Sequence, residues 1–514
     1  MKFKKWIARI MIALCVISTI ALIVVIFTGC TASAKSVSEN LTNYDLTLTF
    51  DDENMTVTGV QKVDYKNNTD VCLNQLKFHL YPNAFREGAK ISPVSLTNEH
   101  KAYPNGKSYG KIDIKSAKVS GMNCSLKLND LDNINNPSYQ ITGEDENILQ
   151  INLTKELFPD DRIEIEIEYL ITLPNVNHRF GYGDNTINLG NFYPIACVYE
   201  NSNFKTDLYH YNGDPFYSEM ANYNLSITFP SKYKMASSGN LSSSNSSENL
   251  TTSTMTATAV RDFAIVLSDQ FEVISKDCDG VSVSYYYFSD TDPEKSLETA
   301  CKSITTFNNL IGKYPYKTLS VVEANFVHGG MEYPNLIYIS SDITDHTQYE
   351  QVIVHETAHQ WWYNVVGNSE YDNGWLDEGL TEYTTALYYE INPNEGVDKN
   401  AIIKNAYSNY QMFVEVYSGV YGDLDTSMDR NLSEFKTEPE YVYLTYVKGM
   451  LMFDTLREIL GFEKFKKCLQ LYYSDNAFKI AKPENMISSF EKASKTKLES
   501  IFNAWIDGKV ILLN

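Results

Sequence analysis

The strongest constraint on the fold is a change in hydrophobic periodicity near residue 270. Up to that point apolar and polar residues alternate, as in the run that contains Leu46, Leu48 and Phe50. Alternation with a period of two predicts sheets with one buried face. Beyond about residue 285, short strands give way to helical periodicity. The chain is therefore predicted to be an α+β multidomain protein, with an N-terminal all-β domain followed by an α+β domain.

The expected divisions are an anchor segment over residues 1–29, a β domain over 30–270 and an α+β domain over 271–514. The Ser/Asn/Thr-rich segment Ser237–Ser253 is expected to be a long solvated hairpin loop. Strands are predicted over Leu319–Phe326 and Leu336–Ser340, and helices over Tyr349–Val366, Asn373–Glu390, Tyr441–Leu460 and Glu463–Tyr473.

The N-terminus carries an uncharged run of twenty residues, Ile10 to Gly29, behind four positive charges. Such a run can span a bilayer, and the positive residues hold its N-terminal end in the cytoplasm. The run ends at Thr28-Gly29-Cys30, which resembles the lipobox of bacterial lipoproteins. We therefore expect attachment to the extracytoplasmic face of the cell membrane, either through a lipid on Cys30 as a bacterial lipoprotein or through an uncleaved signal anchor.

The formal net charge of −22 argues against nucleic acid as a partner, because no basic cluster follows the N-terminus. The simplest interpretation of this charge is that it keeps the protein soluble. The alternative is a cleft that attracts the cationic termini of peptides. The eight cysteines show no CxxC spacing, so the sequence predicts neither a metal knuckle nor a disulfide framework, although bridges are permitted.

The sequence His355-Glu356-Thr357-Ala358-His359 predicts a metal site. Residues four apart share one face of a helix, so both imidazoles can converge on one ion. Eighteen residues separate His359 from Glu378, which would complete a set of three ligands and leave a position open for water, as catalytic zinc requires. One zinc ion per chain is the expected cofactor.

Two further carboxylates have predicted roles at this site. Glu356 lies between the two histidines and could act as general base on a water activated by the metal. Glu382 lies one turn beyond Glu378 and could accept the free ring N–H of a ligand histidine, or it could simply be a solvated charge.

Three motifs in order resemble the aminopeptidase N family of gluzincin metallopeptidases. Gly329-Gly330-Met331-Glu332-Tyr333 is similar to the GxMEN signature, the HExxH-18-Glu pattern follows, and Tyr446 lies in a YxKG context. The resemblance covers the chain from about residue 40 to its end. It implies a saddle-like β sandwich followed by a thermolysin-like catalytic domain.

The resemblance also implies roles at the substrate site. The segment from Gly329 through Gly330 and Met331 would pair with an extended peptide, Glu332 would bind the free α-ammonium, and Tyr446 would donate a hydrogen bond to the oxyanion. The β domain would supply a second amine-binding residue, for which Asn188 and Asn191 are guesses.

Two features depart from the family pattern. Tyr333 stands where Asn is usual, which leaves the first substrate pocket undefined. The sequence after His359 has room for a thermolysin-like domain but not for the large C-terminal helical domain of many relatives, so the cleft is expected to be open.

The sequence thus predicts a membrane-anchored zinc aminopeptidase that acts on extracytoplasmic peptides with a free N-terminus. A thermolysin-like endopeptidase and a catalytically inactive, membrane-tethered peptide-binding protein are the alternatives. The intact set of five residues argues against the inactive form: His355, Glu356, His359, Glu378 and Tyr446.

Overall fold

The computed structural model describes residues 33–123, 139–510 and 512. The predicted anchor over residues 1–29 and the candidate lipid site Cys30 lie outside the described residues. Within the described ranges, no helix combines the length and apolar composition needed to cross a bilayer.

The N-terminal half is built from strands. They are β1 Thr42–Asp51, β2 Thr56–Lys66, β3 Leu73–His79, β4 Lys111–Asn123, β5 Tyr139–Thr142, β6 Ile148–Leu157, β7 Arg162–Thr172, β8 Phe180–Tyr182, β9 Ile187–Leu189, β10 Ile195–Ala196, β11 Tyr199–Glu200, β12 Asn203–Phe204, β13 Ala221–Pro230, β14 Lys234–Ser237, β15 Asn240–Ser247, β16 Leu250–Val260 and β17 Ile265–Ser268. Two short helices accompany them, α1 Ala34–Val37 and α2 Glu99–Ala102.

The largest sheet has seven strands in the order β15-β16-β13-β1-β2-β7-β4. Its pairs are antiparallel except β1 with β13, which is parallel. Buried and exposed residues alternate along β1, as the sequence predicts. Two four-stranded sheets, β10-β3-β6-β5 and β14-β17-β9-β8, and the pair β11-β12 complete this half.

The hairpin expected over Ser237–Ser253 is present, but the prediction that it forms a solvated loop is wrong. This segment contains β15 and the start of β16, which pair as a hairpin at the sheet edge. Hydroxyl groups bond across the two strands, with Ser244 Oγ 3.0 Å from Ser253 Oγ and Ser246 Oγ 2.9 Å from Thr251 Oγ1. A low-complexity polar sequence can therefore be a regular edge strand, because its side chains satisfy one another.

The C-terminal half combines a sheet with helices. Its strands are β18 Glu272–Cys278, β19 Val281–Tyr287, β20 Thr318–Ala324, β21 Gly330–Met331, β22 Leu336–Ser340, β23 Val366–Gly367 and β24 Lys479–Ile480. Its helices are α3 Pro293–Leu310, α4 His346–Ala358, α5 Glu370–Asn373, α6 Glu378–Ile391, α7 Lys399–Tyr421, α8 Glu438–Val442, α9 Lys448–Leu460, α10 Phe462–Asn476, α11 Pro483–Ser494 and α12 Glu499–Ile506.

The five-stranded sheet β18-β19-β20-β22-β21 is mixed, with β21 antiparallel to β22 at its edge. Helix α4 packs against β22 and β21, which brings the predicted metal helix beside the glycine-rich edge strand. A disulfide bond joins Cys278 of β18 to Cys301 of α3, a bridge that the cysteine spacing did not predict. The predicted order, mostly β followed by α+β, is confirmed. Strands up to Ser268 pair among themselves, so we keep the division near residue 270 as a proposal.

Helix boundaries near the predicted metal site differ from the expected ones. Helix α4 ends at Ala358 rather than Val366, because the chain turns back and the Asn364 N–H donates to the His359 carbonyl at 3.1 Å. The expected helix from Asn373 instead starts at Glu378, after α5 and a 3₁₀ turn at Gly374–Leu376. The expected helix from Tyr441 is divided by a π-helical segment, Tyr443–Val447, which precedes α9.

A buried arginine of the N-terminal half holds the turn after His359 in place. Arg261 donates from Nε to the Tyr363 carbonyl at 2.6 Å and from Nη2 to the Lys479 carbonyl at 2.5 Å. Its neighbour Asp262 accepts a hydrogen bond from the Tyr363 hydroxyl at 2.6 Å. The β region therefore fixes the segment that directly follows the second histidine.

Candidate active site

A cavity of about 420 Å³ lies between the two halves of the chain. Helices α4 and α6, the edge strand β21 and the loop around Asp214 all contribute to its wall. Of the residues predicted at the site, the following line it: Gly329, Gly330, Glu332, His355, Glu356, His359, Glu378, Glu382 and Tyr446. Met331 does not line it, and its side chain is buried.

The three predicted metal ligands converge at one end, which we call the metal end. Nε2 of His355 and Nε2 of His359 are 3.1 Å apart. Glu378 Oε2 lies 3.4 Å from the first and 3.3 Å from the second. Zinc bonds of about 2.0–2.1 Å arranged tetrahedrally separate neighbouring ligand atoms by roughly 3.3–3.4 Å. The spacing of these three atoms therefore fits a zinc ion.

The hydrogen bonds around the ligands support the same conclusion. His359 Nδ1 donates to Asp377 Oδ1 at 2.7 Å and to the Trp362 carbonyl at 3.0 Å. This fixes the proton on Nδ1 and leaves the Nε2 lone pair facing the other ligands. Glu378 Oε2 is buried and has no hydrogen-bond partner among the described residues. A cation between these atoms would accept the His359 lone pair and the unpartnered Glu378 oxygen together.

Asp377 is a residue that sequence reasoning missed. It is fully buried and is the N-cap residue of α6, so the start of this helix brings together a ligand, Glu378, and the carboxylate that orients another ligand. The hydrogen bond predicted for Glu382 is not formed in the structure. Its Oε1 lies 3.6 Å from His355 Nδ1, which is close enough for an electrostatic contact but longer than a hydrogen bond.

Glu356 faces the cavity beside the metal end. Its Oε2 is buried and has no partner within the described residues. Gly330 makes room for it, because a Cβ at that position would overlap the Glu356 carboxylate. Burial raises the pKa of Glu356 to about 7, and the two neighbouring histidines act in the opposite direction. The second glycine of the GGMEY motif is thus required by the carboxylate of the HExxH motif.

Tyr446 reaches the site because two helices approach closely. A Cβ on Gly379 would lie 2.8 Å from the Gly449 Cα, so glycine at both positions allows α6 and α9 to touch. The Tyr446 hydroxyl donates to Glu378 Oε1 at 2.5 Å. Its position within the π-helical segment is typical of functional residues. The glycine of the YxKG motif therefore has a packing role.

Next to the metal end lies a second group of side chains, Glu332, Asp214 and Arg179, which we call the amine end after the role predicted for Glu332. Carboxylate oxygens of Glu332, Asp214 and Glu378 all lie within 4.8 Å of one another. Glu332 is buried, and its Oε1 has no partner in the described part of the chain. Burial, followed by the nearby Asp214, raises the pKa of Glu332 well above its usual value. A cation placed between these groups would stabilise the ionised carboxylate of Glu332 and so offset the effects of burial and of Asp214 on its pKa.

Asp214 and Arg179 come from the N-terminal half and were not predicted. Arg179 Nη1 lies 2.5 Å from Asp214 Oδ1. The guesses Asn188 and Asn191 do not line the cavity. Asn188 instead donates to the His178 and Asn325 carbonyls, and Asn191 donates to Asp262. The sequence Asn212-Gly213-Asp214-Pro215 has only the signature of a turn, which gives no indication of this location.

Tyr333, the departure from the family pattern, points away from the cavity. Its side chain is fully buried, and its ring lies 5.2 Å from that of Tyr338. A Cβ on Gly190 of the N-terminal half would overlap the Tyr333 hydroxyl. This tyrosine therefore contributes to the contact between the two halves of the chain.

The region that contains this site is similar to a known protein family. Residues 295–505 match the Peptidase family M1 domain. This region contains all three predicted motifs, and the chain carries an M1 domain. Among curated relatives, leucine aminopeptidase 2-1 of Meyerozyma guilliermondii is 28% identical over 211 residues, which is 38% of this chain and 33% of the relative. The membrane alanyl aminopeptidase of Manduca sexta is 23% identical over 219 residues, which is 39% of this chain and 21% of the relative.

Solved structures extend the likeness in fold beyond the M1 domain. The M1 zinc metallopeptidase of Deinococcus radiodurans superposes with a TM-score of 0.64 and 16% identity, covering 92% of this chain and 95% of that one. A mutant of that protein was solved with a Tyr-Ser-Ala substrate. The chain spans about a third of the length of the first curated relatives, so the match is one of domains rather than of whole proteins.

Proposed function

We propose that this protein is a zinc-dependent aminopeptidase that removes the N-terminal residue from peptides. The observation that carries the proposal is the presence in one cavity of two neighbouring groups of side chains, each suited to a different cation. Two histidines and one carboxylate suit a zinc ion at the metal end, while Glu332 and Asp214 present carboxylates with room for a cation beside it. The α-ammonium of a peptide is a cation one bond from the residue's α-carbon, so the first peptide bond would lie at the metal end.

Each residue has a role that follows from its position. His355, His359 and Glu378 would hold one zinc ion per chain, which when bound polarises a carbonyl group and makes water more acidic. Glu356 would accept the proton of the attacking water and pass it to the leaving amine. Tyr446 would donate to the oxyanion, for which its hydroxyl must leave Glu378 Oε1.

The substrate backbone would extend along β21. One edge of this strand is paired with β22, and the cavity lies beside Gly329 and Gly330. An extended peptide can add to such an edge through main-chain hydrogen bonds, and the absence of side chains permits close approach. Met331 would contribute through its backbone, since its side chain is buried. The solved relative with a Tyr-Ser-Ala substrate supports a peptide as the ligand class.

The cellular setting is a separate part of the proposal and depends on sequence alone. The uncharged run from Ile10 to Gly29 and the lipobox-like Thr28-Gly29-Cys30 support a membrane-anchored protein with extracytoplasmic substrates. Mass spectrometry of the membrane-extracted protein would test it. A lipid on Cys30 supports the lipoprotein, an intact N-terminus supports the signal anchor, and a soluble, unmodified protein contradicts both.

The enzymatic proposal is tested with the segment from Thr31 onward, loaded with zinc. Free-amine and N-acetylated aminoacyl fluorophores are compared, with Glu356→Gln as the control that retains the ligands. We expect cleavage of the free-amine forms only, with kcat lowered by about 10³-fold in Glu356→Gln. Equal cleavage of N-acetylated internal peptides would contradict the aminopeptidase and favour an endopeptidase. Stoichiometric zinc without any cleavage would favour the peptide-binding protein.

A further inference from the structure

One carboxylate of the cavity has no part in the chemistry proposed above. Glu438, the first residue of α8, lines the cavity, and its carboxylate is held by hydrogen bonds from two side chains of the N-terminal half. Ser95 Oγ donates to its Oε2 at 2.8 Å, and Asn98 Nδ2 lies 3.2 Å from each of its oxygens. Three contacts fix the orientation of this carboxylate, and they leave acceptor capacity on Oε1, the oxygen nearer the cavity residue His328.

The charge of Glu438 is not balanced within the cavity. Nδ1 of His328 is 3.6 Å from Glu438 Oε1, but this ring packs against the rings of His178 and Phe326. Burial, assisted by Arg179, lowers the pKa of His328 to about 3, so the imidazole is neutral near pH 7. The remaining cation among the described lining residues is Arg179, which is paired with Asp214.

Glu438 lines the same cavity as the amine end. His328 directly precedes Gly329, which lies next to the edge strand β21. Beside the larger effect of burial, the charge of Arg179 acts to lower the pKa of both His328 and Asp214. A residue whose ammonium lies between Glu332 and Asp214 would extend its own side chain into this same cavity. A long cationic side chain could bring its head group to Glu438 Oε1.

We propose that Glu438 binds the guanidinium or ammonium of an N-terminal arginine or lysine, so that the protein selects peptides with basic N-termini. This inference rests on the proposed aminopeptidase function and specifies its substrate class. Arginine would gain most, because its planar fork matches a fixed carboxylate.

The test compares arginine with citrulline, which has the same shape but no charge. The zinc-loaded protein is assayed for kcat/KM on arginyl, citrullinyl and leucyl fluorophores, as wild type and as Glu438→Gln. The amide introduced by Glu438→Gln would retain one oxygen that accepts from Ser95 or Asn98, so the loop contact is conserved in part. Glu415→Gln is the matched control, because it removes the same charge from an exposed position of α7 outside the cavity.

We expect wild type and Glu415→Gln to prefer arginine over citrulline by at least about tenfold, as a charge-assisted hydrogen bond would give. Glu438→Gln should bring this ratio close to one while leaving the leucyl and citrullinyl rates within about threefold of wild type. A wild-type ratio near one, or a ratio that survives Glu438→Gln, would overturn the inference while leaving the aminopeptidase intact. No cleavage of any free-amine fluorophore would overturn the proposed function and this inference with it.

Discussion

The metal end and the amine end share one cavity but are assembled in different ways. The metal end uses two helices of the M1 domain, and its three ligands fall within a stretch of 24 residues, His355 to Glu378. The amine end joins Glu332, which directly follows the edge strand of that domain, to two residues of the N-terminal half that lie outside its strands, Asp214 and Arg179. Helix periodicity is sufficient to build the first, whereas the second requires both halves to be packed together.

This difference has a functional consequence. The metal end depends mainly on the contact between its two helices, and the N-terminal half contributes through Arg261, which holds the turn after His359. The amine end would determine which peptide bond reaches the metal, and it depends on the contact between the halves. The hydrolysis step and the selection of the N-terminal peptide bond can therefore be disrupted separately. Four substitutions test this separation.

The largest effect is expected from Glu332→Gln at the amine end. The loss of one carboxylate from a buried cation site should lower kcat/KM for free-amine substrates by about 100-fold. Zinc content should remain at the wild-type level, since Glu332 lies outside the predicted ligand set. Steady-state kinetics and metal analysis provide the measurement, with the exposed Glu298→Gln on α3 as control. Unchanged kinetics would show that this carboxylate does not bind the ammonium.

Asp377→Asn should act at the metal end alone. An amide at this position can donate to His359 Nδ1 and would disturb the tautomer in which Nε2 faces the ligands. Zinc affinity should fall roughly 10- to 100-fold. Competition with a chelator measures it, and the exposed Asp423→Asn is the control. At saturating zinc the preference for free amines should persist, and loss of that preference would contradict the separation of the two ends.

The roles found in the structure show where sequence reasoning succeeds and where it stops. His355, His359 and Glu378 were predictable because a helix converts a spacing of four into one face, and the family pattern supplies the third ligand. Asp214 was not predictable, since a turn signature says nothing about what the turn faces. The early end of α4 escaped prediction for a similar reason, because the turn that follows it is held by Arg261 from the other half of the chain.

Asp214→Asn is expected to have a smaller effect than Glu332→Gln. Arg179 already offsets part of the charge of Asp214, so its contribution to ammonium binding should be about tenfold, expressed mainly in KM. A parallel change in the ratio of free-amine to N-acetylated cleavage would identify a binding effect. If kcat fell while KM and this ratio stayed constant, Asp214 would belong to the metal end and the division drawn here would be wrong.

The smallest effect is expected from Gly449→Ala, which tests how Tyr446 reaches the metal end. A methyl group there would lie 2.7 Å from the Gly379 Cα, so α6 and α9 would have to separate. Overpacking of this kind costs about 1–3 kcal/mol. We expect a lower Tm by calorimetry and a several-fold lower kcat with zinc content unchanged. A wild-type Tm and kcat would mean that the two helices do not need this contact.

The account is tested most directly by a crystal structure of the zinc-loaded Glu356→Gln variant with a tripeptide. We predict that the peptide's α-ammonium donates to Glu332 and Asp214, that its first carbonyl faces the metal end, and that its remaining residues run beside Gly330 and Gly329. A peptide bound with residues on both sides of the metal end, and with its N-terminus outside the cavity, would contradict the aminopeptidase and the division into two ends.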